Sequence, residues 1–259
     1  EGPAGVQFGR GSTGGIINQE SKTPGEQPFV HVTTQFGTDA TRRLQIDANE
    51  PLDKVVAGSA FRAAAVGVEG GVAGRPFDEN RHFGVAPSLA FGLNSPTHAS
   101  IGYLHFQEND TPDYGLPWLF NKLAPANRHA YFGFPNSNDL RSDVDVVTGK
   151  IDHDFTPAVA AHSIGRWANY ARNAQITEPQ ICSNAPASVP VGGYVSALPT
   201  NSVTGLTCTY TLNTPASQIA INRNELQVRS VEGDLWGQTS LTARFRLLGI
   251  RNDFNGGFE

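Results

Sequence analysis

The feature that most constrains what this chain can fold into is a strict two-residue alternation, sustained over about ten positions at a time. From Phe83 to Leu93 one face reads Phe83, Val85, Pro87, Leu89, Phe91 and Leu93, and the other Gly84, Ala86, Ser88, Ala90 and Gly92. From Leu235 to Phe245 the row Leu235, Gly237, Thr239, Leu241, Ala243 and Phe245 alternates with Trp236, Gln238, Ser240, Thr242 and Arg244. Between Arg43 and Asn49, polar Arg43, Gln45, Asp47 and Asn49 alternate with Leu44, Ile46 and Ala48. Successive strand side chains point to opposite faces, so each segment is a strand with one apolar side and one polar or small side. A soluble sandwich produces that pattern as readily as a membrane barrel. Length favours the barrel: a tilted membrane strand needs about ten residues, against ~5–6 for the usual globular strand.

The alternation predicts strands at about 29–36, 41–50, 54–67, 82–94, 98–108, 141–154, 158–171, 224–244 and 250–259. Short turns are expected at Glu50–Asp53, Asn94–Thr97, Asp154–Pro157 and Arg246–Gly249. The other connections are Gly37–Ala40, then about 68–81, 109–140 and 172–223. Tight turns at one rim and growing loops at the other are the asymmetry of an outer-membrane barrel. A sandwich has no reason to gather its long loops at one end. The expected class is therefore all-β, a transmembrane antiparallel β-barrel. Nine strands cannot close a single-chain bacterial barrel, whose strand number is even, and hydrocarbon does not tolerate open sheet edges. The remaining strands are expected beyond Glu259.

Composition agrees. The chain has 259 residues, 28 glycines, 17 prolines, a formal net charge of -5 and 17% charged residues. That is neither a disordered polyelectrolyte nor a helical membrane protein, and no apolar run approaches the ~20 residues of a spanning helix. Neither a signal peptide nor a starting methionine opens the chain, so a piece cut at both ends is expected. Mild acidity without a basic stripe argues against nucleic acid as a partner.

Cys182 and Cys208 flank a stretch rich in Pro, Ser, Asn and Gly and belong to no CxxC or Cys/His cluster, so zinc is not expected. A disulfide between them would close one exposed loop and fits an oxidising compartment or the cell surface. It would be worth roughly 3 kcal/mol in the chain-entropy model. Two unrelated buried thiols are the alternative. Gly9-Arg-Gly-Ser-Thr-Gly14 matches the dinucleotide pattern G-x-G-x-x-G, yet neither an amphipathic helix nor a βαβ unit follows, so the glycines more simply permit a tight loop. His129, His153 and His162 have no second ligand at metal-site spacing, and no resident metal is expected. Asp143, Asp145, Asp152 and Asp154 lack the calcium-loop pattern, and a polar lumen face accounts for most of them. No G-x-S-x-G elbow supports hydrolysis, and no enzymatic activity or cofactor is expected.

The run Gly2-Pro-Ala-Gly-Val-Gln-Phe-Gly-Arg-Gly-Ser-Thr-Gly-Gly-Ile-Ile-Asn-Gln19, then Phe36-Gly-Thr-Asp39 and Glu108-Asn-Asp-Thr-Pro-Asp-Tyr-Gly-Leu-Pro-Trp118, together resemble the TonB-dependent outer-membrane siderophore receptors. The last of these motifs is most similar to the catecholate branch, the Fiu-like receptors. The resemblance implies that 1–24 is the C-terminal end of a plug domain. It makes 25–259 the N-terminal part of a 22-stranded barrel in the bacterial outer membrane. It further implies that a ferric siderophore binds between plug apices and outer loops, and that TonB, contacting a segment outside this chain, supplies the energy for import. A monomer embedded in outer-membrane lipid is expected.

Carried over residue by residue, the resemblance places Phe8 and Arg10 near a ligand-contacting plug apex, and Tyr114 and Trp118 at aromatic positions of the third outer loop. Phe120 joins them as a candidate, with Tyr131, Phe132, Phe134, Arg128 and His129 as weaker ones. The residue types suit the task, because an iron–catecholate complex is anionic and rimmed by aromatic rings. The bland readings are a structural charge for Arg10 and an interface girdle or loop core for the aromatics. Other functions to weigh are a passive channel or surface adhesin, a soluble carbohydrate-binding β-sandwich, and a related receptor for a hydroxamate siderophore, haem or cobalamin.

Overall fold

The computed structural model describes residues 21–119, 122–181 and 213–259. The chain first lays down five long strands: β1 (Phe29–Phe36), β2 (Arg42–Pro51), β3 (Ala60–Val72), β4 (Arg75–Phe91) and β5 (Thr97–Asp110). The connection that follows carries a small hairpin, β6 (Trp118–Leu119) with β7 (Lys122–Leu123). Four more long strands complete the chain: β8 (Asp139–Thr156), β9 (Val159–Ile181), β10 (Ile221–Leu247) and β11 (Ile250–Phe258). The nine long strands form one antiparallel meander in chain order, with β1 and β11 as its edges.

The two faces of this sheet differ as the alternation predicts. Register aligns Tyr103, Val147, Trp167 and Leu235 in one cross-strand row of the outward face. Phe61, Leu89 and Ile101 lie in a parallel row nearer the tight turns, continued by Gly149, Gly165 and Gly237. Large apolar side chains of this face stand open, Leu235 at 87% exposure, with Val30, Ile46, Phe83, Ile101, Ile151 and Trp167 also exposed. Among the described residues the buried apolar set is five alanines and Ile181, with no buried Leu, Val or Phe. A water-soluble sandwich must bury its apolar faces against a second layer. None covers them here, so the sandwich reading fails.

The apolar belt has a defined upper edge. On the outward face the register row Arg42, Glu69 and Arg81 closes it over β2–β4, and the row His105, Asp145 and Asn169 closes it over β5–β9. Arg81 lies 3.6 Å from Glu69, and His105 Nδ1 lies 2.9 Å from Asp145 Oδ1. On β4 the belt runs from Phe83 to Phe91, about 26 Å of strand at ~3.3 Å per residue. Tilting by ~40° leaves roughly 20 Å of height, near the ~25 Å apolar band of outer-membrane barrels. Asp143 and Asp145 therefore depart from expectation. Both lie on the outward face beyond the belt, where Asp145 accepts the Tyr103 hydroxyl at 2.5 Å and Asp143 accepts from Gln107 at 3.1 Å.

Strand bounds correct the sequence reading in one direction. The expected connection at 68–81 is a tight turn at Ala73-Gly74, with β3 and β4 laddered to Gly71–Glu79 and, past a bulge at 76–78, closed by the Val72–Arg75 pair. Gly74 takes φ +69°, which only glycine adopts freely. β9 runs to Ile181 rather than 171, and the turn expected at Glu50–Asp53 lies at Leu52–Ser59. At the opposite end Gly92 turns the chain at φ +71°; a Cβ there would lie 2.0 Å from the Thr97 carbonyl oxygen. Even so, the long 111–138 connection leaves from the rim away from the tight turns 92–96, 157–158 and 248–249.

Candidate functional site

The inward face carries its charge where the chain enters the sheet. Asp47, on the inward row of β2, is buried and accepts two bonds from the Arg62 guanidinium, at 2.9 and 2.8 Å, and one from the Lys22 ammonium at 2.6 Å. Arg62 also donates to the Thr23 carbonyl at 3.0 Å, and its guanidinium stacks 5.1 Å above the Phe29 ring. Asn49, two residues along the same face, donates to the carbonyls of Gly25 and Gln27 at 2.8 and 2.7 Å and accepts the Gly25 N–H at 2.9 Å. Buried polar groups persist only when partnered, and here the partnering fastens residues 22–27 against the wall. A cavity of about 610 Å³ lies between this segment and the inner faces of β3–β9, lined by Lys22, Arg62, Ser88, Lys150, Arg166 and Tyr170 among others. Of its twenty lining residues four are cations and none is an acid, with Lys22 and Arg62 already paired to Asp47. Lys150 and Arg166 leave this part of the lumen wall attractive to anions.

At the outer rim the 111–138 connection is tied down by side chains from distant strands. Arg75, at the start of β4, pairs with the buried carboxylate of Asp113 and donates to the Arg128 carbonyl at 2.8 Å. His129 Nδ1 lies 2.6 Å from the Gly74 carbonyl. Buried Asn138 donates to the Tyr131 hydroxyl at 2.9 Å and to the Pro112 carbonyl at 3.3 Å, and accepts the fully buried Thr177 hydroxyl of β9 at 2.6 Å. Arg223 of β10 stacks 3.9 Å over the Phe134 ring. Phe77 packs on Tyr131 with centroids 5.6 Å apart and holds φ +75°, a strained value for a non-glycine residue. Burial raises the Tyr131 phenol above its ordinary range, the charges of Asp113 and Asp78 adding to it against the Asn138 bond. Burial likewise raises the Asp78 carboxyl, with Asp113 next in effect.

On this platform Tyr114 is 52% exposed and Trp118 65% exposed, the latter opening the β6–β7 hairpin opposite Leu123. Both are open to a ligand. Tyr131 and Phe134, by contrast, are used internally, which supports the loop-packing reading for them. Phe8, Arg10, Phe120, Cys182 and Cys208 lie outside the described residues. Sequence reasoning missed the struts Arg75, Asp113, Asn138 and Thr177, and the Lys22–Asp47–Arg62 anchor; Asp47 was legible only as one member of a polar row, with nothing to mark its partners. It also missed a group brought together by the β4–β5 register: His82, Glu108 and Asp110, whose ligand atoms all lie within 4.8 Å of one another.

No family model matches the chain. Among curated proteins it is 26% identical over 273 residues to the catecholate siderophore receptor Fiu of Escherichia coli K12, matching 100% of this chain and 32% of that protein. It is 29% identical over 187 residues to the "Probable TonB-dependent siderophore receptor PiuA" of Acinetobacter baumannii, matching 69% of this chain and 25% of that one. The crystal structure of Fiu in its closed form superposes with a TM-score of 0.79 at 25% identity, over 99% of this chain and 34% of that chain. The ferripyoverdine receptor of the outer membrane of Pseudomonas aeruginosa, at 16% identity and TM-score 0.73, shares the fold. The chain thus spans about a quarter to a third of the relatives it matches. Its sheet has the fold of part of the TonB-dependent receptor barrels that it is similar to.

Proposed function

We propose that this chain, a relative of the TonB-dependent siderophore receptors, is part of an outer-membrane receptor that captures a ferric siderophore of the catecholate class and admits it through a plugged barrel. In this reading 1–24 closes the plug and 25–259 is the first portion of the barrel, with outer-membrane lipid against the belt and TonB acting through a segment outside this chain. The observation that carries it is the two-sided wall: lipid-type apolar rows outside, and inside a polar face whose buried Asp47 is ion-paired to Lys22 of the segment before the first strand. A passive channel has no use for a buried charge cluster that fastens a preceding segment to its wall.

Ligand capture needs no bond-making. Tyr114 and Trp118 offer flat faces to catechol rings, and Phe8, Arg10 and Phe120 complete the site, the guanidinium of Arg10 meeting the anionic complex. Cys182 and Cys208 pair to close the outer loop that carries them, and the receptor acts as a monomer. The test is binding and uptake of an iron-labelled catecholate siderophore by a deletion strain carrying the full-length gene. Wild type should restore uptake only when TonB is present, and Trp118→Ala together with Arg10→Ala should weaken binding at least tenfold. Uptake independent of TonB would overturn the transport reading. Unchanged binding by the double variant would overturn the site.

A further inference from the structure

The inward face of β4 and β5 holds a set of donors that siderophore capture does not use. His82 and Glu108 are direct register partners, and Asp110 follows Glu108 two residues along the same face. His82 Nε2 lies 3.0 Å from Asp110 Oδ2 and 3.7 Å from Glu108 Oε1. Both strands are laddered on either side, and the free oxygen of Asp110 accepts the Arg81 N–H at 2.9 Å, which fixes that carboxylate's orientation. Among the described residues no lysine or arginine side chain comes within ion-pair distance of Glu108 or Asp110. Two neighbouring carboxylates therefore lack a balancing cation other than a proton on His82.

We propose that His82, Glu108 and Asp110 form a binding site for a first-row divalent cation of the zinc class, on the wall of the outer vestibule. One imidazole nitrogen and two carboxylate oxygens are a borderline donor set that suits zinc over magnesium or calcium. A tetrahedral ion at ~2.1 Å from each ligand needs ligand atoms roughly 3.4 Å apart. The two distances from His82, 3.0 and 3.7 Å, bracket that value, and all three ligand atoms lie within 4.8 Å of one another, so rotation of the side chains would close them on an ion. The fourth position stays open to water or to an incoming donor. A hexadentate ferric complex presents no vacant position, so this ion is distinct from the cargo.

The test uses the full-length protein, untagged, in detergent and stripped with a chelator, titrated with zinc chloride and with magnesium chloride. Wild type should bind one equivalent of zinc with micromolar or tighter affinity and show no comparable magnesium binding. His82→Gln and Glu108→Gln should each weaken zinc at least tenfold, while heat-modifiable migration on gels confirms that each barrel is folded. Asp110 is left intact because it also caps the Arg81 N–H. Cobalt substitution should give the visible spectrum of a nitrogen–oxygen site. No saturable zinc binding, or folded variants that bind zinc as wild type does, would reduce the cluster to a histidine–carboxylate hydrogen bond and overturn the proposal. Siderophore uptake by the same variants separates this result from the transport reading, which does not depend on it.

Discussion

The belt-bearing wall and the 111–138 connection are two regions of one chain that are ordered by opposite means. The wall is held by ladder hydrogen bonds between chain neighbours, and its outward side chains touch little within the protein: Leu235 is 87% exposed. The connection has scarcely any ladder, only the β6–β7 hairpin and the Glu79–Thr111 bridge, and depends on named side-chain contacts such as Arg75–Asp113 and Asn138–Thr177. The difference teaches where each region's stability resides. On the proposed function, the wall depends on solvent outside the chain, a lipid phase that accepts the apolar rows. The connection depends on a few polar contacts that water competes for, which leaves it free to present Tyr114 and Trp118.

Substitutions should separate the two. The largest effect is expected from a charge in the belt: Leu235→Arg should cost about 2–4 kcal/mol of barrel stability in lipid, the depth-dependent penalty for arginine on a lipid-facing position. Urea titration of the full-length protein in vesicles reads this, and a shift no larger than that of a rim position would dissolve the contrast. Next comes Asn138→Ala, which strands the buried Thr177 hydroxyl and frees Tyr131 at a cost of roughly 1–3 kcal/mol. Its loss should be confined to the connection, seen as faster proteolysis between 111 and 138 with an unchanged barrel transition. A matching fall in the barrel transition would mean that the two regions are one cooperative unit. Smallest is Asp78→Asn at the outer end of β4. Because burial and Asp113 raise that carboxyl, its neutral form stabilises the fold at low pH, and the stabilisation fades as pH climbs through the raised value. The amide should therefore leave the connection as protease-resistant at pH 7 as wild type, or more so. A marked loss of resistance would show that the charge is needed.

The same contrast explains what the sequence disclosed. β1 ends where the alternation predicts because its outward residues Val30 and Val32 serve the belt and Phe36 pairs with Arg42 in the row that closes it. Beyond the belt the outward face is no longer apolar, so Glu79-Asn-Arg81 on β4 and Asn173 to Gln180 on β9, where Ala174 and Thr177 are buried, do not alternate, and the ladder continues unannounced. Asp143 and Asp145 were misassigned for that same reason: the outward face turns polar as soon as it leaves the apolar phase. At the site, the exposed aromatics were readable as a cluster among prolines and glycines. The struts beneath them were not, since Thr177 and Asn138 are 39 positions apart and only the β8–β9 register brings them together. The His82–Glu108–Asp110 group was hidden likewise, by the 28 positions between His82 and Asp110.

The central claim is that one face of this sheet meets lipid and the other does not. It is tested most directly by spin-label accessibility along β10 in the full-length protein in lipid vesicles, with Cys182 and Cys208 replaced by serine and labelled cysteines introduced singly. Labels at 235, 241 and 245 should be open to oxygen and shielded from a water-soluble nickel chelate, while those at 234, 236, 238 and 240 should show no such preference for oxygen. Equal accessibility of the two rows, or an outward row freely reached by the chelate, would contradict the account.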